Sequence, residues 1–246
     1  MSFLTRSLPS TMKLFPYLLI PPTVFVLLSG VRHVIFQFAP GLTWLHTGEL
    51  HRLIDVNGEG NLTVWFSAGL WLVFGILCLV IGALAGIRGP FYTFAAIGFY
   101  ASMDETAMIH EMFNAVGHTL GSSLGTDIPT WPWVVFFGLP LALLVGLVSL
   151  RLMRILPRQV RTTLIWAGAL FLTAVIVLET ISGFYVTDGE ITNHVIYILV
   201  THAEEYLEMV AISLAVSALA SLLVVSPSQR TISVSPGLTQ RKQATR

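Results

Sequence analysis

The sequence predicts an all-α fold: a polytopic membrane protein built as a six-transmembrane-helix bundle, with the N and C termini in the cytoplasm. Three observations lead to this prediction. Hydrophobic residues make up 54% of the chain and charged residues 11%, whereas soluble domains carry roughly 25% charged residues. Six apolar runs are long enough to cross a hydrocarbon core, which takes about 20 helical residues. Lysine and arginine collect in alternate connections between these runs, as expected for cytoplasmic segments.

The six apolar runs define the predicted helices. They are residues 15–38, 62–87, 91–116, 131–153, 162–186 and 192–225. Basic residues precede the first run, as in a signal peptide, but the run is long and no small-residue cleavage site follows it, so we expect an uncleaved span. Residues 1–225 thus form one transmembrane domain. Residues 226–246 are predicted to be a disordered cytoplasmic tail, because they hold too little apolar surface to fold alone.

Charged residues outside the runs orient the bundle. Arginine and lysine lie before the first run, in the second and fourth connections and in the tail. The remaining connections hold the acidic residues Glu49, Asp55, Glu59, Asp127, Asp188 and Glu190. Because cytoplasmic flanks are enriched in Lys and Arg, the acidic connections are predicted to lie on the opposite side of the membrane.

A single cysteine limits the chemistry that the chain can support. Cys78 lies within the second apolar run, so disulfides, Cys-based zinc sites and iron–sulfur clusters are excluded within one chain. The sequence contains no phosphate-binding loop and no nucleic-acid-binding signature. The apolar runs predict the lipid bilayer as a partner, and the lack of such signatures predicts that the chain binds no nucleic acid.

Seven carboxylates lie inside the predicted spans. They are Asp104, Glu105 and Glu111 in the third run, Glu179 in the fifth, and Glu204, Glu205 and Glu208 in the sixth. A central Asp costs about 2.5–3.5 kcal/mol even on the most lenient insertion scale. Such residues normally face a bundle interior or a wet cavity and find partners there.

Helical geometry predicts that these acids share a cavity. At about 100° per residue, Asp104, Glu111 and His118 form one stripe along a continuous third helix. On the sixth helix Glu204, Glu205 and Glu208 fall within one arc. The two helices run in opposite directions, and Asp104 and Glu204 each lie about a dozen residues, or roughly 20 Å, from their helix starts. The acids are therefore expected to meet in the outer half of the bundle.

A divalent metal ion would balance the charge of this cavity. Clustered carboxylates cannot all stay ionised, and within the spans the only basic side chains are Arg32 and Arg151, near helix ends. Several carboxylates with a few imidazoles are the ligands of di-iron and di-manganese bundles. We predict iron, manganese or zinc, with Glu105 and Glu205 as acid–base residues if the site performs redox or hydrolytic chemistry on an apolar or lipid substrate. The predicted ligands are Asp104, His110, Glu111, His202, Glu204 and Glu208.

Two other functions use the same residues. Chains of Asp, Glu and His through a bilayer mark proton relays, so a proton-coupled transporter or ion channel is an alternative. A protonated Glu can also serve as structural contact between helices. The Glu-x-x-His pairs of di-iron bundles are replaced here by the reversed order His202-x-x-Glu205. The residues alone leave open whether the protein is an enzyme.

The first external connection carries a resemblance to a known group of proteins. IDVNGEGNLTVWFS before the second run and SMDETAMIHE in the third resemble uncharacterised bacterial multi-pass integral membrane proteins with a Ser-x-Asp-Glu-x-x-x-x-His-Glu motif in a transmembrane helix. The chain departs from that pattern at Ile54 and at Thr63-Val64, which leaves the start of the second helix open. The resemblance implies a bacterial inner membrane and brings no activity. The connection itself is either a lid over the cavity or a solvated loop.

Overall fold

A computed structural model describes residues 10–39, 41–42, 47–126, 128–187, 189–226, 228 and 230–238, and the described chain is mostly helical. The acidic positions Asp127 and Asp188 and residues 239–246 of the predicted tail lie outside the described residues. The helices are α1 (Phe15–Leu18), α2 (Ile20–Phe38), α3 (Glu49–Ile54), α4 (Leu62–Ala85), α5 (Arg88–Ala107), α6 (Ile109–Ser123), α7 (Leu139–Ile155), α8 (Arg158–Leu172), α9 (Glu179–Gly183) and α10 (His194–Ala220). Two π-helical segments, Val134–Gly138 and Thr173–Leu178, lead into α7 and join α8 to α9.

Four helical segments of the described chain are long and apolar enough to cross a membrane. They are Phe15–Phe36, Leu62–Ala85, Val134–Ile155 and Arg158–Gly183. They correspond to the predicted first, second, fourth and fifth spans. The other two predicted spans, the third and the sixth, contain the acid clusters. These charged residues make both segments too polar to count as apolar spans. With 27 residues, α10 is long enough to cross, but three of its residues are glutamates.

The second helix starts where the sequence predicts. The Asn61 side chain accepts a hydrogen bond from the Val64 backbone N–H at 2.7 Å, which caps the first turn of α4. α4 packs closely against α5 at small residues. A Cβ on Gly98 of α5 would lie 3.1 Å from the Cα of Gly75 of α4. Such small-residue contacts let two membrane helices approach closely.

The predicted third helix is broken, and the prediction of one continuous stripe through Asp104, Glu111 and His118 is wrong. Met108 adopts a left-handed backbone conformation with φ 50° between α5 and α6. The physical reason is a local cap. The Asp104 carboxylate accepts a hydrogen bond from the His110 backbone N–H at 2.8 Å, and so satisfies a donor of the new helix.

The sixth predicted span ends earlier than expected, at Ala220 instead of residue 225. The chain then forms an antiparallel hairpin in which β3 (Leu223–Ser226) pairs with β4 (Thr231–Val234). The prediction of a disordered tail therefore does not hold for this part. Its β-branched residues favour strands, and the Leu238 side chain beyond β4 is fully buried.

The core surrounds the second half of α10. Almost every side chain from Met209 to Leu219 is buried, and α10 packs against α2, α4, α8 and α9. A short hairpin of β1 (Val186–Thr187) and β2 (Glu190–Ile191) precedes α10, and the Asn193 side chain caps the helix at Ile196 with a 3.2 Å hydrogen bond. The first half of this central helix carries the glutamates.

Candidate functional site

The helix break at Met108 builds an aspartate–histidine pair. Besides capping α6, Asp104 contacts the His110 ring, with Nδ1 2.9 Å from Oδ2. The two bonds fix both the backbone and the imidazole of His110, and they leave Nε2 for another partner. Carboxylates hold metal-binding histidines in this way. Asp104 was predicted to be a ligand, and in the structure its two oxygens are engaged by His110.

A tryptophan connects this pair to the fifth predicted span. The rings of His110 and Trp133 pack with centroids 4.9 Å apart. The Trp133 indole N–H donates to Glu179 Oε1 at 2.7 Å, and its backbone N–H donates to Asn114 Oδ1 at 3.3 Å. A hydrogen bond from an indole fixes one oxygen of the carboxylate, so Glu179 is a well-positioned member of the site.

The segment before the first π helix is clamped onto α9, which fixes Glu179 further. Thr130 donates to the Thr180 carbonyl at 2.7 Å, and the Trp131 indole N–H donates to the Ser182 hydroxyl at 3.2 Å. Gly183 permits this approach, because a Cβ there would lie 2.8 Å from the Trp131 backbone nitrogen.

The glutamates of α10 face the same space. The carboxyl groups of Glu204 and Glu179 interact with each other, and Tyr197 interacts with both and with Glu111. One turn further along, Glu208 interacts with Glu204, Glu179 and Glu105. Acids from α5, α6, α9 and α10 therefore cluster together, and we call the region that they share the acidic cavity.

The inner part of the acidic cavity is formed by Glu105, Glu205 and Glu208. Glu205 interacts with Glu105 and Glu179, and all three side chains keep partial exposure, as groups that line a cavity do. The Ser67 hydroxyl of α4 is 2% exposed and makes no well-aligned hydrogen bond within the described chain. It lies within reach of the Glu105 carboxyl, so a buried polar group points into the cavity.

The mouth of the acidic cavity holds Glu111 and Glu59. Glu111 is exposed at the start of α6. Glu59, in the loop between α3 and α4, interacts with it: burial raises the pKa of Glu59, the Glu111 carboxylate raises it further, and His110 opposes both. Sequence analysis named neither Glu59 nor Glu179 as a ligand or acid–base residue, although Glu179 was among the acids expected to share the cavity. The only signal in the sequence for Glu59 was its place in a loop that carries a motif, and the only signal for Glu179 was its place inside an apolar run.

Charge in the acidic cavity is unbalanced. Its carboxylates are Glu59, Asp104, Glu105, Glu111, Glu179, Glu204, Glu205 and Glu208. Among the ion pairs of the described chain, Asp104 pairs with His110, and none joins these carboxylates to a Lys or Arg. Carboxyl groups clustered in this way cannot all be ionised unless protons or cations balance them.

A second polar cluster, formed around Arg32, has the opposite character. Arg32 is 3% exposed and its Nη2 lies 2.9 Å from Asp55 Oδ1. The guanidinium also contacts His51 and lies 2.7 Å from the Nε2 of His33. Burial alone would raise the pKa of Asp55, but the hydrogen bond to His33 and the charge of Arg32 lower it to about 2. We call this group the arginine cluster.

His202 belongs to the arginine cluster. Its Nε2 lies 3.0 Å from the Ser29 hydroxyl of α2, and its ring packs against His33 with centroids 5.3 Å apart. His202 was predicted to be a ligand, but it lies on the side of α10 that faces the arginine cluster and is therefore separated from the acids. The other predicted site residues, Asp104, Glu105, His110, Glu111, Glu204, Glu205 and Glu208, come together around the acidic cavity.

Comparison with known proteins gives membership of a family and no activity. Among the described residues, no three His, Cys, Asp or Glu side chains are grouped closely enough to hold a metal ion as they stand. No curated protein and no solved structure matches the chain. A family model matches residues 21–222, a range that includes both polar clusters. The chain therefore belongs to the family described as Domain of unknown function (DUF8692).

Proposed function

We propose that this protein binds a divalent metal ion, iron, manganese or zinc, in the acidic cavity of a six-span membrane bundle. The observation that carries the proposal is the lack of basic partners: eight carboxylates cluster with one imidazole, and no ion pair of the described chain joins any of them to a Lys or Arg. Bringing ionised carboxylates together away from water is unfavourable unless a cation joins them. Carboxylate and imidazole groups are the ligands that these metals take in helical bundles.

The contacts within the cavity favour a particular division of roles. His110 would offer Nε2 to the metal, oriented by Asp104, and Glu179 would offer the oxygen that Trp133 leaves free. Glu204, Glu208 and Glu111 are further ligands in reach of these groups. Asp104 is then a positioning residue and His202 has no part in binding.

The same cation would explain how the acid-bearing helices cross the bilayer. Intramembrane acids are tolerated where they face a bundle interior and find partners, and α10 is surrounded by α2, α4, α8 and α9. The four apolar spans become six when α5 together with α6 is counted as one further span and α10 as another. The arginines of the second and fourth connections then lie in the cytoplasm with both termini, and the acidic cavity opens to the periplasm of a bacterial inner membrane.

A bound metal would supply a Lewis acid or a redox centre inside the bilayer. Glu105 and Glu205 lie together at the inner end of the cavity, where they could transfer protons. Redox or hydrolytic chemistry on an apolar or lipid substrate is the enzymatic form of this proposal.

Elemental analysis tests metal binding directly. The detergent-purified protein is compared with a Glu179→Gln, Glu204→Gln double variant and with Glu190→Gln, an exposed control on β2. We expect near-stoichiometric iron, manganese or zinc in the wild type and the control, and loss of the metal in the double variant. Absence of metal from all three proteins after supplementation with each ion would overturn the proposal.

The span count has its own test. In a Cys78→Ser background, Glu190→Cys and Ser228→Cys introduce single thiols in the β1–β2 hairpin and after β3. A membrane-impermeant maleimide added to intact cells should label the first and not the second. Equal labelling of both would contradict the six-span topology.

A proton relay is the second candidate, and one contact favours it. Glu179 and Glu204 interact, and two carboxyl groups held near each other can share a proton in the absence of a metal. If no metal is found, proteoliposomes with a pH-sensitive dye provide the measurement. A relay predicts proton flux that is lost in Glu204→Gln while the protein remains folded.

A further inference from the structure

We propose that the groove between the start of α5 and the end of α7 binds an anionic phospholipid, with the lipid phosphate on Arg151 and an acyl chain against Leu147. This groove, which we call the α5–α7 groove, lies far from the acidic cavity. It contains Gly89, whereas the cavity contains Asp104, near the other end of α5, a helix of 20 residues that spans roughly 30 Å. The inference therefore goes beyond the proposed metal binding and does not rest on it.

The α5–α7 groove is an open space between two helices. It has a volume of about 420 Å³ and is lined by Gly89, Pro90 and Thr93 of α5 and by Leu147, Val148 and Arg151 of α7. This volume falls in the range of roughly 300–1,000 Å³ that is usual for ligand pockets. A Cβ on Gly89 would meet no atom within 4 Å, so the α5 wall is open. The groove can therefore accept a ligand at this wall without displacing a side chain.

Both walls of the groove end near one surface of the bilayer. The apolar segment that forms α4 ends at Ala85, and α5 begins shortly after it, at Arg88. α7 completes another apolar segment, Val134–Ile155, and Arg151 lies about one turn before its end. Leu147, one turn further in, is 57% exposed and faces hydrocarbon when this segment spans the membrane. The groove thus has a polar end at the level of the lipid headgroups and an apolar end inside the bilayer.

The polar end of the groove has positive charge and no acidic partner. Arg151 is exposed, and no ion pair in the described part of the chain includes Arg151 or Arg88. The connections at this end of the helices, residues 86–90 and 151–161, contain arginines and no Asp or Glu. An anion that neutralises Arg151 therefore comes from outside the chain.

The first turn of α5 adds to this positive charge. The residue before the helix, Ile87, gives the turn no side-chain hydrogen bond, and the turn contains no acidic residue. The N-terminal end of a helix dipole favours an anion, but α5 begins with a cation, Arg88. A phosphate beside Gly89 would offset this unfavourable placement as well as the charge of Arg151.

An anionic phospholipid matches the groove better than a free anion does. An arginine guanidinium can hold phosphate oxygens through two parallel hydrogen bonds, and basic pockets between membrane helices bind anionic headgroups. Inorganic phosphate would use Arg151 and leave the apolar surface of Leu147 and Val148 without a partner. A zwitterionic lipid brings a cation of its own, which the arginines repel. The charge and the apolar wall together select a lipid with a net negative charge.

A lipid titration followed by native mass spectrometry tests the proposal. The detergent-purified full chain is titrated with dioleoylphosphatidylglycerol and, in parallel, with dioleoylphosphatidylcholine, which has the same acyl chains and no net charge. Arg151→Gln removes the charge of the groove, and Gly89→Leu fills its open wall. Arg154→Gln is the matched control, since Arg154 is an exposed arginine of α7 that does not line the groove.

We expect the wild type to bind phosphatidylglycerol more tightly than phosphatidylcholine. Arg151→Gln should raise the dissociation constant for phosphatidylglycerol about fivefold, the usual effect of one arginine near an anionic headgroup. Gly89→Leu should raise it at least as much, because the leucine occupies the space of the lipid. Arg154→Gln should change it much less.

Several outcomes would overturn the proposal. A wild type that does not distinguish the two lipids, or an Arg151→Gln variant that binds phosphatidylglycerol as tightly as the wild type, removes the anionic lipid site. Equal weakening in Arg151→Gln and Arg154→Gln would mean a general attraction to the basic surface, and unchanged binding in Gly89→Leu would place the lipid elsewhere. Displacement of the lipid by an excess of inorganic phosphate would identify a free-phosphate site instead. Mn²⁺ binding should be the same in Arg151→Gln and the wild type, so this inference and the proposed metal binding can fail separately.

Discussion

The acidic cavity and the arginine cluster are neighbours on α10, and both contain carboxylates and imidazoles. They differ in how charge is balanced. In the arginine cluster, a buried guanidinium lies 2.9 Å from Asp55, so the chain supplies its own counter-ion. In the acidic cavity, no ion pair of the described chain joins any of the eight carboxylates to a Lys or Arg. The arginine cluster can therefore stabilise the fold by itself, whereas the acidic cavity depends on protons or on the cation that we propose for it.

Breaking the arginine cluster should have the largest effect on stability. Arg32→Met leaves Asp55 without its counter-ion, and removal of one partner of a buried pair costs about 3–5 kcal/mol. The free energy of unfolding, measured by denaturation in mixed detergent micelles, should fall by about that amount. Replacing both partners, with Arg32→Met and Asp55→Leu together, should recover most of the loss.

An exposed pair provides the control for this experiment. Arg52 and Glu49 lie 2.8 Å apart with 52% and 82% of their side chains exposed, and Arg52 also donates to the Gly60 carbonyl at 2.7 Å, so Arg52→Met should cost about 1 kcal/mol. A loss of similar size in Arg32→Met and Arg52→Met would mean that the buried ion pair contributes no more to stability than the exposed one.

Acid should weaken the same cluster in a defined range of pH. The pKa of Asp55 is lowered to about 2 from its ordinary value of 3.8, so ionised Asp55 contributes stability that is present above pH 4 and is lost as the pH falls toward 2. The contribution is about 2 kcal/mol. The difference in unfolding free energy between wild type and Asp55→Asn, measured from pH 6 to pH 2, isolates it from other acids. A difference that stays constant over this range would contradict the strength of the ion pair.

Removing a carboxyl group from the acidic cavity should raise the stability of the protein, whereas removing a partner from the arginine cluster lowers it. In protein stripped of metal by a chelator, Glu204→Gln removes one carboxyl from a group of carboxyls that repel one another, and we expect the free energy of unfolding to rise by about 1 kcal/mol, the equivalent of roughly one pKa unit of repulsion. Adding Mn²⁺ should stabilise the wild type and leave the variant unchanged. If Glu204→Gln lowers the stability of the metal-free protein, the glutamate is a structural contact between helices.

The sequence predicts those parts of the molecule that depend on apolar runs. The helices over residues 15–36, 62–85, 134–155 and 158–183 follow from hydropathy and length. The break at Met108 does not follow from them, because it depends on a hydrogen bond that the Asp104 carboxylate accepts from the His110 backbone N–H of the next helix, and an apolar pattern does not reveal such a bond. The partners of Arg32 lie far along the chain, and a contact of that kind leaves no periodic signal.

The sequence predicts that the acids of the candidate site meet, but not which face of α10 each residue occupies. Clustered acids in the third and sixth runs indicated a shared cavity, and their side chains do interact. Which face of α10 each residue occupies depends on its neighbours: Glu204 meets Glu179 of α9, whereas His202 meets Ser29 of α2. Residue type and spacing could not distinguish these two surroundings.

His202 therefore gives the finest test of the comparison, with the smallest expected effect. His202→Gln should leave the Mn²⁺ dissociation constant unchanged, because the residue faces the arginine cluster and not the acids. It should lower the free energy of unfolding by about 1 kcal/mol, the typical contribution of one hydrogen bond. His110→Gln is the matched variant on the other side of the comparison, and it should weaken Mn²⁺ binding because His110 lies among the acids. Loss of binding in His202→Gln with the fold intact would mean that the two clusters form one site, and that the chain's own arginine takes part in balancing its acids.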